Sequence, residues 1–313
     1  MRTRRRFIFL EDADPSTMRV RPSAVLLVLC LIAGGTSVQA QVFSAGDCRA
    51  ALSEEDRTGF RPLPRGELFC SLLADPKAPR SFASALHGSA GSFPSQIGAV
   101  GIGDRFGVFR WGRVQLDLFG AVFSQFDLGA PSFDLINADY LVGLPITFRY
   151  RGFSGRLRAY HQSSHLGDEF LLRSQVDREN LSFESIELLL SQKLGPVRVY
   201  GGGERLLSPN PEDLSDLVGH GGLELRPGAA LLRVGMLGSA RLVGAADVKL
   251  IEEQDWEAGV SLRAGFEVSR SEMSSIPVSR WQLLFEYYDG PTPYGQFFRR
   301  DLTYWGVGLH FTR

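Results

Sequence analysis

The sequence predicts an all-β protein, a single antiparallel transmembrane β-barrel of about twelve strands within a range of ten to fourteen. Three observations support this fold class: a leader for export, long segments in which apolar and polar residues alternate, and an aromatic strand at the C-terminus. After the leader, no run of about 18 apolar residues occurs. An exported integral protein without such a run must be a closed barrel, because lipid offers its backbone no hydrogen-bond partners.

Residues 1–40 are predicted to be a signal peptide and not part of the fold. The apolar run from Ala24 to Ala33 follows two arginines and is too short to span a membrane. The segment Val38-Gln39-Ala40 has the spacing of small residues at which signal peptidase cleaves. Met18 is an alternative start, since the residues before it include acids that a leader rarely carries.

Residues 41–79 are predicted to be a short periplasmic segment that could cap the mouth of a barrel formed by residues 80–313. This segment contains both cysteines that remain after the leader, Cys48 and Cys70. Because an exported chain meets an oxidising compartment, the pair is predicted to form a disulfide, and two buried free thiols are the alternative. Closing such a loop would stabilise the segment by roughly 3 kcal/mol.

The composition argues against a nucleic-acid partner. The chain has 34 Lys and Arg against 35 Asp and Glu, and no basic cluster occurs outside its first residues. A hydrophobic fraction of 44% with 22% charged residues is that of a folded protein and not of a disordered one. No cluster of cysteine and histidine has the spacing of a zinc site, and the sequence predicts no cofactor.

The clearest strand pattern covers residues 256–268, where apolar residues alternate without interruption with polar residues or glycine. Soluble strands usually have about five or six residues, so this run is long. One apolar face and one polar face are what a strand between lipid and lumen requires. The same reasoning predicts strands near residues 80–91, 96–110, 113–127, 140–152, 156–165, 182–193, 197–206, 219–226, 230–240, 255–268, 280–288 and 302–311.

The predicted connections alternate between tight turns and long loops, as in outer-membrane barrels with short periplasmic turns and long outer loops. Tight turns are expected at 152–155, 194–196 and 226–229. This alternation places both ends of the barrel on the periplasmic side. The connection 269–279 is long where a tight turn is expected, and residues 245–253 could contain an additional strand.

The C-terminal strand is the most specific signal for a barrel. Its apolar row consists of Trp305, Val307, Leu309 and Phe311. Bacterial outer-membrane barrels commonly end on such a strand, which the barrel assembly machinery reads, so that machinery is a predicted partner. Thr312 and Arg313 extend past Phe311, which departs slightly from the usual ending.

Two strings, His161–Phe170 (HQSSHLGDEF) and Tyr287–Phe298 (YYDGPTPYGQFF), stand out in the chain. They resemble those of a family of predicted bacterial outer-membrane proteins defined by a domain of unknown function. The resemblance covers most of the chain after the leader, from about Phe69 to Phe311. It implies a barrel in the bacterial outer membrane and no particular activity.

His161 and Ser163 are the candidate catalytic residues. Positions i and i+2 of a strand point to the same face, and the opposite face of this strand is the more polar one. Both side chains are therefore predicted to face lipid, at outer-leaflet depth because a long loop follows. A histidine and a serine there suit an esterase, in which the imidazole takes the hydroxyl proton and the alkoxide attacks an acyl carbonyl.

The spacing His161-x-Ser163 resembles that of outer membrane phospholipase A and of the lipid A deacylases. Those families usually place Asn after the serine, where this chain has Ser164. The alternative interpretation is that His161 and Ser163 are ordinary residues of the barrel rim. Two residues at this spacing also recur by chance.

A third group must orient the imidazole. Glu184, on the next predicted strand, shares its phase with outward apolar residues and is the leading candidate. Asp168 and Glu169, in the intervening loop, compete for this role or would be calcium ligands, since the resemblance to the phospholipase implies that calcium could be needed.

Three functional hypotheses follow. The leading one is an outer-membrane barrel with a structural role or a narrow permeation path, in contact with outer-membrane lipids. The second is a lipid-acyl hydrolase on the same barrel, which would use His161, Ser163 and Glu184. The third is a soluble exported β-barrel, although an edge strand with exposed aromatics would be an aggregation hazard in water.

Overall fold

The computed structural model describes residues 59–89, 93–174, 178–179, 181–228, 230–234, 238–269 and 280–312. All of them belong to one compact unit, Phe43–Arg313. The predicted signal peptide and Cys48 lie outside the described residues.

The described residues are almost all in β-strands. The strands are β1 (Phe60–Pro62), β2 (Ser81–Ser89), β3 (Gln96–Trp111), β4 (Val114–Asp127), β5 (Leu135–Tyr150), β6 (Phe153–Leu166), β7 (Ser182–Leu194), β8 (Val197–Asn210), β9 (Leu217–Leu225), β10 (Leu232–Arg233), β11 (Ser239–Ile251), β12 (Glu257–Ser269), β13 (Arg280–Asp289) and β14 (Thr303–Thr312). One α-helix, α1 (Asp168–Ser174), follows β6, and single 3₁₀ turns occupy Glu252–Gln254 and Gly295–Phe297. None of the helices in the described part of the chain has the length and hydropathy needed to cross a membrane.

Twelve of these strands close into one antiparallel barrel, which confirms the predicted fold class. Each of the twelve pairs with the strand before it and the strand after it in the ring, and β14 returns to pair with β2. The two short strands stand outside the ring, because β1 pairs only with β3 and β10 only with β11. Closure leaves the wall without a free edge, so all strands in the ring have a partner on both sides.

The two ends of the barrel differ in their connections. At one end, two-residue turns join β3 to β4, β5 to β6 and β7 to β8, and each begins with a positive-φ residue, Gly112, Arg151 or Gly195. Positive φ gives such turns the twist that matches the flanking strands. We call this the short-turn end, and it holds the start of β2 and the end of β14. The opposite end, with α1 and the connection 290–302, is the long-loop end.

The predicted strand near residues 230–240 is wrong. In this region β11 runs from Ser239 to Ile251 and pairs with both β9 and β12. The connection before it spans 226–238, so the tight turn predicted at 226–229 is wrong as well. The pattern failed because Val243 and Ala245 face the lumen and pack on Leu73, which makes both faces of this strand apolar.

The outside of the wall is apolar. Large apolar side chains point outward from nearly every strand and are 40–53% exposed at the positions Val142, Leu144, Ile146, Leu157, Ile186, Leu188, Leu190, Leu283, Phe285, Trp305, Val307 and Leu309. The charged residues that alternate with them are buried in the lumen, among them Arg156, Arg158, Glu187, Glu224, Arg263 and Glu286. An apolar exterior around a charged interior is the arrangement of a membrane barrel and the reverse of a soluble one.

The chain before β2 enters the barrel, and we call residues 66–80 the plug. Leu68, Phe69, Leu72 and Ala74 are fully buried there. Arginines of the wall donate to backbone carbonyls of the plug: Arg149 to Glu67 (3.1 Å), Arg105 to Phe69 (3.3 Å), Arg198 to Cys70 (3.1 Å) and Arg263 to Leu73 (3.0 Å). Residues 66–79 of the predicted periplasmic segment therefore fill lumen space, whereas Phe60–Pro62 pair with β3 and are exposed.

Cys70 lies in the plug and is disulfide-bonded. The Arg149 guanidinium lies 3.9 Å from its sulfur. Because Cys48 is outside the described residues, the bond between these two cysteines stays a prediction.

Ion pairs join side chains of neighbouring strands inside the lumen. Glu187 accepts hydrogen bonds from Arg156 Nε (2.9 Å) and from Arg158 Nη2 (2.7 Å), and its side chain has no exposed surface. The connection 290–302, which we call the closing loop, is fixed to the wall where the backbone N–H of Gly295 donates to Asp139 (3.2 Å). A cavity of ≈ 150 Å³ is lined by residues of both the plug and the closing loop.

Candidate functional site

The candidate site lies on the outer surface of β6 and β7, close to the long-loop end. Tyr160, Gln162 and Ser164 point into the lumen and are buried, so the alternation turns His161 and Ser163 to the outside. Ser163 pairs with Ser182 in the last rung between β6 and β7. The strand phase predicted for the candidate residues is therefore the one observed.

His161 has a specific partner on the next strand. It stands directly opposite Glu184 in the β6–β7 register, and its Nδ1 lies 3.0 Å from Glu184 Oε1. A carboxylate can only accept, so this geometry places the proton on Nδ1. The Nε2 atom then carries a lone pair and can act as a base, while 42% of the His161 side chain is exposed.

Ser163 lies two residues beyond His161 on the same outward face. Among the described residues, no hydrogen bond joins its hydroxyl to the His161 ring. Positions i and i+2 of a strand lie roughly 7 Å apart, so the contact requires the two side chains to lean toward each other. Unliganded sites often leave such contacts open, and they tighten when the substrate binds.

Two further hydroxyl groups flank Ser163. Tyr140 stands opposite Ser163 on β5, and Ser182 stands opposite it on β7. The Tyr140 ring is 45% exposed and packs edge-on against His165, with 5.7 Å between the ring centroids. Sequence periodicity alone could not find these neighbours, because they depend on the register between strands.

Asp168 and Glu169 lie in the first turn of α1. Among the described contacts, neither carboxylate touches His161 or Ser163. No described contact tests calcium ligation by Asp168 or Glu169, and that role stays a prediction. Their part in orienting His161 also stays a prediction, while Glu184 is the group in contact.

One group of potential metal ligands occurs within the described residues, and it lies in the lumen. Asp75, His220 and Asp247 bring their ligand atoms within 4.8 Å of one another. His220 Nε2 lies 2.8 Å from Asp247, and Lys249 Nζ lies 3.1 Å from Asp75. Burial alone would raise the pKa of Asp75, but Lys249 and His220 hold that pKa well below its usual range. The negative charge of the carboxylates in this cluster is thus offset by Lys249, a cation that the protein itself supplies.

The C-terminal row that was predicted to direct assembly faces outward from β14. Trp305, Val307 and Leu309 are 49–53% exposed. The Phe311 ring is half-buried and packs against Trp281 of β13, with 4.9 Å between ring centroids. Their role as an assembly signal stays a prediction.

Comparison with known proteins identifies a family and a fold. A family model described as "Protein of unknown function (DUF1207)" matches residues 40–312. A search of curated proteins found no match.

Three solved structures resemble the barrel. Outer membrane phospholipase A from Escherichia coli has a TM-score of 0.53 at 12% identity, over 76% of this chain and 93% of that chain. The calcium-bound dimer of the Salmonella typhi outer membrane phospholipase has a TM-score of 0.52 at 12% identity, with the same shares covered. An active-site mutant of the Escherichia coli protein has a TM-score of 0.51 at 13% identity, over 76% and 93%. At these identities the likeness shows a common fold, that of a twelve-strand outer-membrane barrel.

Proposed function

The chain belongs to the family described as proteins of unknown function (DUF1207), and from that premise we propose that it is an outer-membrane lipid-acyl hydrolase. Ser163 is the nucleophile, His161 is the general base, and Glu184 is the positioning residue. One observation carries this proposal: the hydrogen bond of 3.0 Å between His161 and Glu184 on the outward face, next to Ser163 on that face. All three groups lie on the face where a lipid would lie against the wall.

The proposed location is the bacterial outer membrane. Short turns face the periplasm in barrels of this class, so the long-loop end faces the cell exterior. Ser163 is in the last rung of its strand pair at that end. The site would then meet the outer leaflet at the depth where acyl esters join the headgroup region.

The proposed reaction begins with Glu184 holding the Nδ1–H tautomer of His161. His161 Nε2 takes the proton from Ser163 Oγ as that oxygen attacks the acyl carbonyl. The tetrahedral intermediate then expels the lipid alcohol, which receives the proton from His161, and the acyl group remains on Ser163. Water, deprotonated by His161, attacks the acyl-enzyme, releases the fatty acid and restores the serine.

Two further points favour this proposal over a narrow permeation path. The plug and the ion pair between Glu187 and Arg156 occupy the lumen, so an open water channel would require them to move. The structural neighbours are phospholipases, which are lipid hydrolases on the same fold. At 12% identity that likeness is support by analogy, and it assigns no residue of this chain.

The test is acyl release from lipids in mixed micelles by purified, folded protein. We expect Ser163→Ala and His161→Ala each to reduce the rate by at least about a hundredfold, and the double variant to lose little more, because the residues act as a unit. Ser182→Ala is the matched control, since this serine stands opposite Ser163 on the same face and should retain activity. Hydrolysis that survives Ser163→Ala, or that is absent from the wild type, contradicts the proposal.

A further inference from the structure

The lumen contains a cavity between the plug and the closing loop. Its volume is ≈ 150 Å³, and residues of the plug, the barrel wall and the closing loop line it. Protein interiors are close-packed and have few cavities larger than a water molecule, so a cavity of this size calls for a physical reason. It lies inside the barrel, whereas Ser163 faces outward, so a ligand bound there would be independent of the proposed hydrolase chemistry.

Most of the cavity wall is apolar. It includes side chains of one hydrophobic cluster that spans β5, β7, β8 and the closing loop, namely Leu141, Phe183, Leu206, Leu214 and Phe298. Binding pockets are typically built in this way, from apolar side chains with a small number of polar groups. An apolar cavity of about 150 Å³ has room for one benzene molecule. The two phenyl rings in the wall favour an aromatic ligand, since aromatic pairs gain more than their buried area alone provides.

The charged side chains around the cavity balance one another. Among the described residues that line it, three are cationic and three are acidic: Lys77, Arg158, Lys249, Glu204, Asp247 and Glu253. Each of the three cations also has a carboxylate partner, in Asp139, Glu187 and Asp75 respectively. A charged ligand would lose its hydration on entry and would meet groups of both signs, so it would gain little net attraction. The lining therefore favours an uncharged ligand.

Glu204 offers an uncharged ligand a strong hydrogen-bond acceptor. Its Oε1 accepts hydrogen bonds from the Tyr160 hydroxyl and from Ser185 Oγ, the latter at 2.6 Å. No donor in the described part of the chain contacts its Oε2, and Glu204 is half-buried. Asp247 differs, because its carboxylate is paired with His220 at 2.8 Å. Since hydrogen bonds to an ionised acceptor are stronger than neutral ones, a ligand hydroxyl group would donate to Glu204.

The position of the cavity sets the side from which a ligand reaches it. Pro76 and Lys77 of the plug line it toward the short-turn end. Leu214, in the connection 211–216, and Phe298, in the closing loop, line it toward the long-loop end. A ligand would thus enter from the long-loop end, the proposed cell exterior, and would stop at the plug. This arrangement suits a binding site and not a continuous pore.

We infer that this cavity binds a small uncharged molecule with one aromatic ring and a hydroxyl group. The ring packs against the apolar wall, and the hydroxyl group donates to Glu204. A competing account fills the cavity with water, which a cavity of this size can hold where polar groups line it. The two accounts differ in their consequences, because a site for water alone has no affinity for a ring.

The experiment titrates the purified, folded protein in detergent at neutral pH with phenol, benzene and benzoate. These probes share one ring and differ in the hydroxyl group and in charge, and saturation-transfer NMR of the ligand measures their affinities. We expect phenol to bind about tenfold more tightly than benzene, because it gains a hydrogen bond to a charged acceptor, and benzoate to bind more weakly than phenol. Glu204→Gln should weaken phenol binding several-fold and leave benzene binding unchanged.

Two adjacent residues of β8 give a matched pair of variants. Leu206→Trp fills the cavity and should abolish phenol binding, whereas Leu207→Trp should keep it, because Leu207 points outward with 38% of its surface exposed. The phenol signal that remains in Leu206→Trp measures partition into the detergent. Leu214→Trp fills the cavity from the connection 211–216, and it replaces Leu206→Trp if that variant does not fold.

Equal phenol binding by the wild type and by a folded cavity-filling variant overturns the inference. Benzene or benzoate that binds as tightly as phenol overturns it as well. The Ser163→Ala variant should bind phenol normally, since Ser163 faces away from the lumen. Phenol binding therefore tests this site whether or not the protein hydrolyses lipids.

Discussion

At the scale of single residues, the pairing of His161 with Glu184 gives a lipid-facing surface an acid–base function. Neighbours on such a face are expected to be apolar or small, so a histidine, a glutamate and a serine together are unusual. The side chains of His161 and Glu184 are 42% and 55% exposed, which keeps them open to a lipid. The acid–base pair thus lies at a point of the wall that a lipid can reach.

We expect Glu184→Ala to lower acyl release roughly a hundredfold, since the imidazole loses both its orienting acceptor and its tautomer preference. Glu184→Gln should lose less, because its amide oxygen can still accept from Nδ1–H. The loss should fall on kcat and leave KM nearly unchanged, because Glu184 acts through His161 and not through contact with the lipid. The control is Glu257→Ala, which removes an exposed carboxylate on β12 at the same long-loop end of the barrel. Equal activity of all four proteins would contradict the assigned role.

The phase of His161 and Ser163 could be predicted from the sequence, because alternation fixes which side chains share a face. Glu184 could be placed outward in the same way, but its contact with His161 depends on the β6–β7 register, which the alternation does not specify.

Within the lumen, Glu187 is a residue whose loss should strongly lower the stability of the barrel. It neutralises two buried guanidinium groups, those of Arg156 and Arg158. We expect Glu187→Ala to lower the free energy of unfolding by about 3–5 kcal/mol, because it leaves buried charge without a partner. Urea unfolding in detergent micelles measures this difference. Leu188→Ala changes the adjacent outward position and should cost less; a reversed order would disprove the assignment.

At the scale of elements, the strands that could be predicted are those with one lipid face and one polar face. β12 and β14 fit this pattern, and β11 does not, because Val243 and Ala245 replace polar lumen residues where the plug packs. The path of the plug could not be predicted either. The wall recognises its backbone carbonyls, and that contact leaves no pattern of side chains in the sequence.

The terminal strand β14 should carry the assembly information. We expect Phe311→Ala to reduce insertion into the outer membrane several-fold, while the inserted fraction keeps normal stability, because this ring contacts Trp281 on the outer surface and not the lumen. Quantitative blotting of membrane fractions measures insertion. Thr312→Ala is the neighbouring control, and an unchanged membrane level of the Phe311 variant would rule out the signal.

At the scale of the whole molecule, the apolar exterior and charged lumen suit the protein to a membrane and not to water. Transferring this surface to water would expose a continuous apolar belt, which soluble proteins rarely carry. The closed ring completes the argument, because each of its twelve strands is paired along both edges without water.

We expect the mature protein to fractionate with outer membranes and to migrate faster on a gel before heating than after it, because a closed barrel resists detergent until it is boiled. The Ser163→Ala variant should behave identically, since this residue lies outside the lumen and the sheet hydrogen bonds do not involve its hydroxyl. Recovery in the soluble periplasm would refute the membrane assignment. A missing mobility shift in membrane-bound protein would instead question the closed barrel.

The arginines that donate hydrogen bonds to the backbone of the plug affect which substitutions this protein can accept during evolution. A carbonyl oxygen is present in every amino acid, so the contacts at Glu67, Phe69 and Leu73 place no demand on side-chain identity. Substitutions that fill the same buried space as Phe69 and Leu73 therefore leave these hydrogen bonds, and the route through the barrel, unchanged. Changes to Arg105 or Arg263 have no such freedom. A plug transplanted from a divergent relative should accordingly thread the same way, provided that the fully buried position of Ala74 stays small.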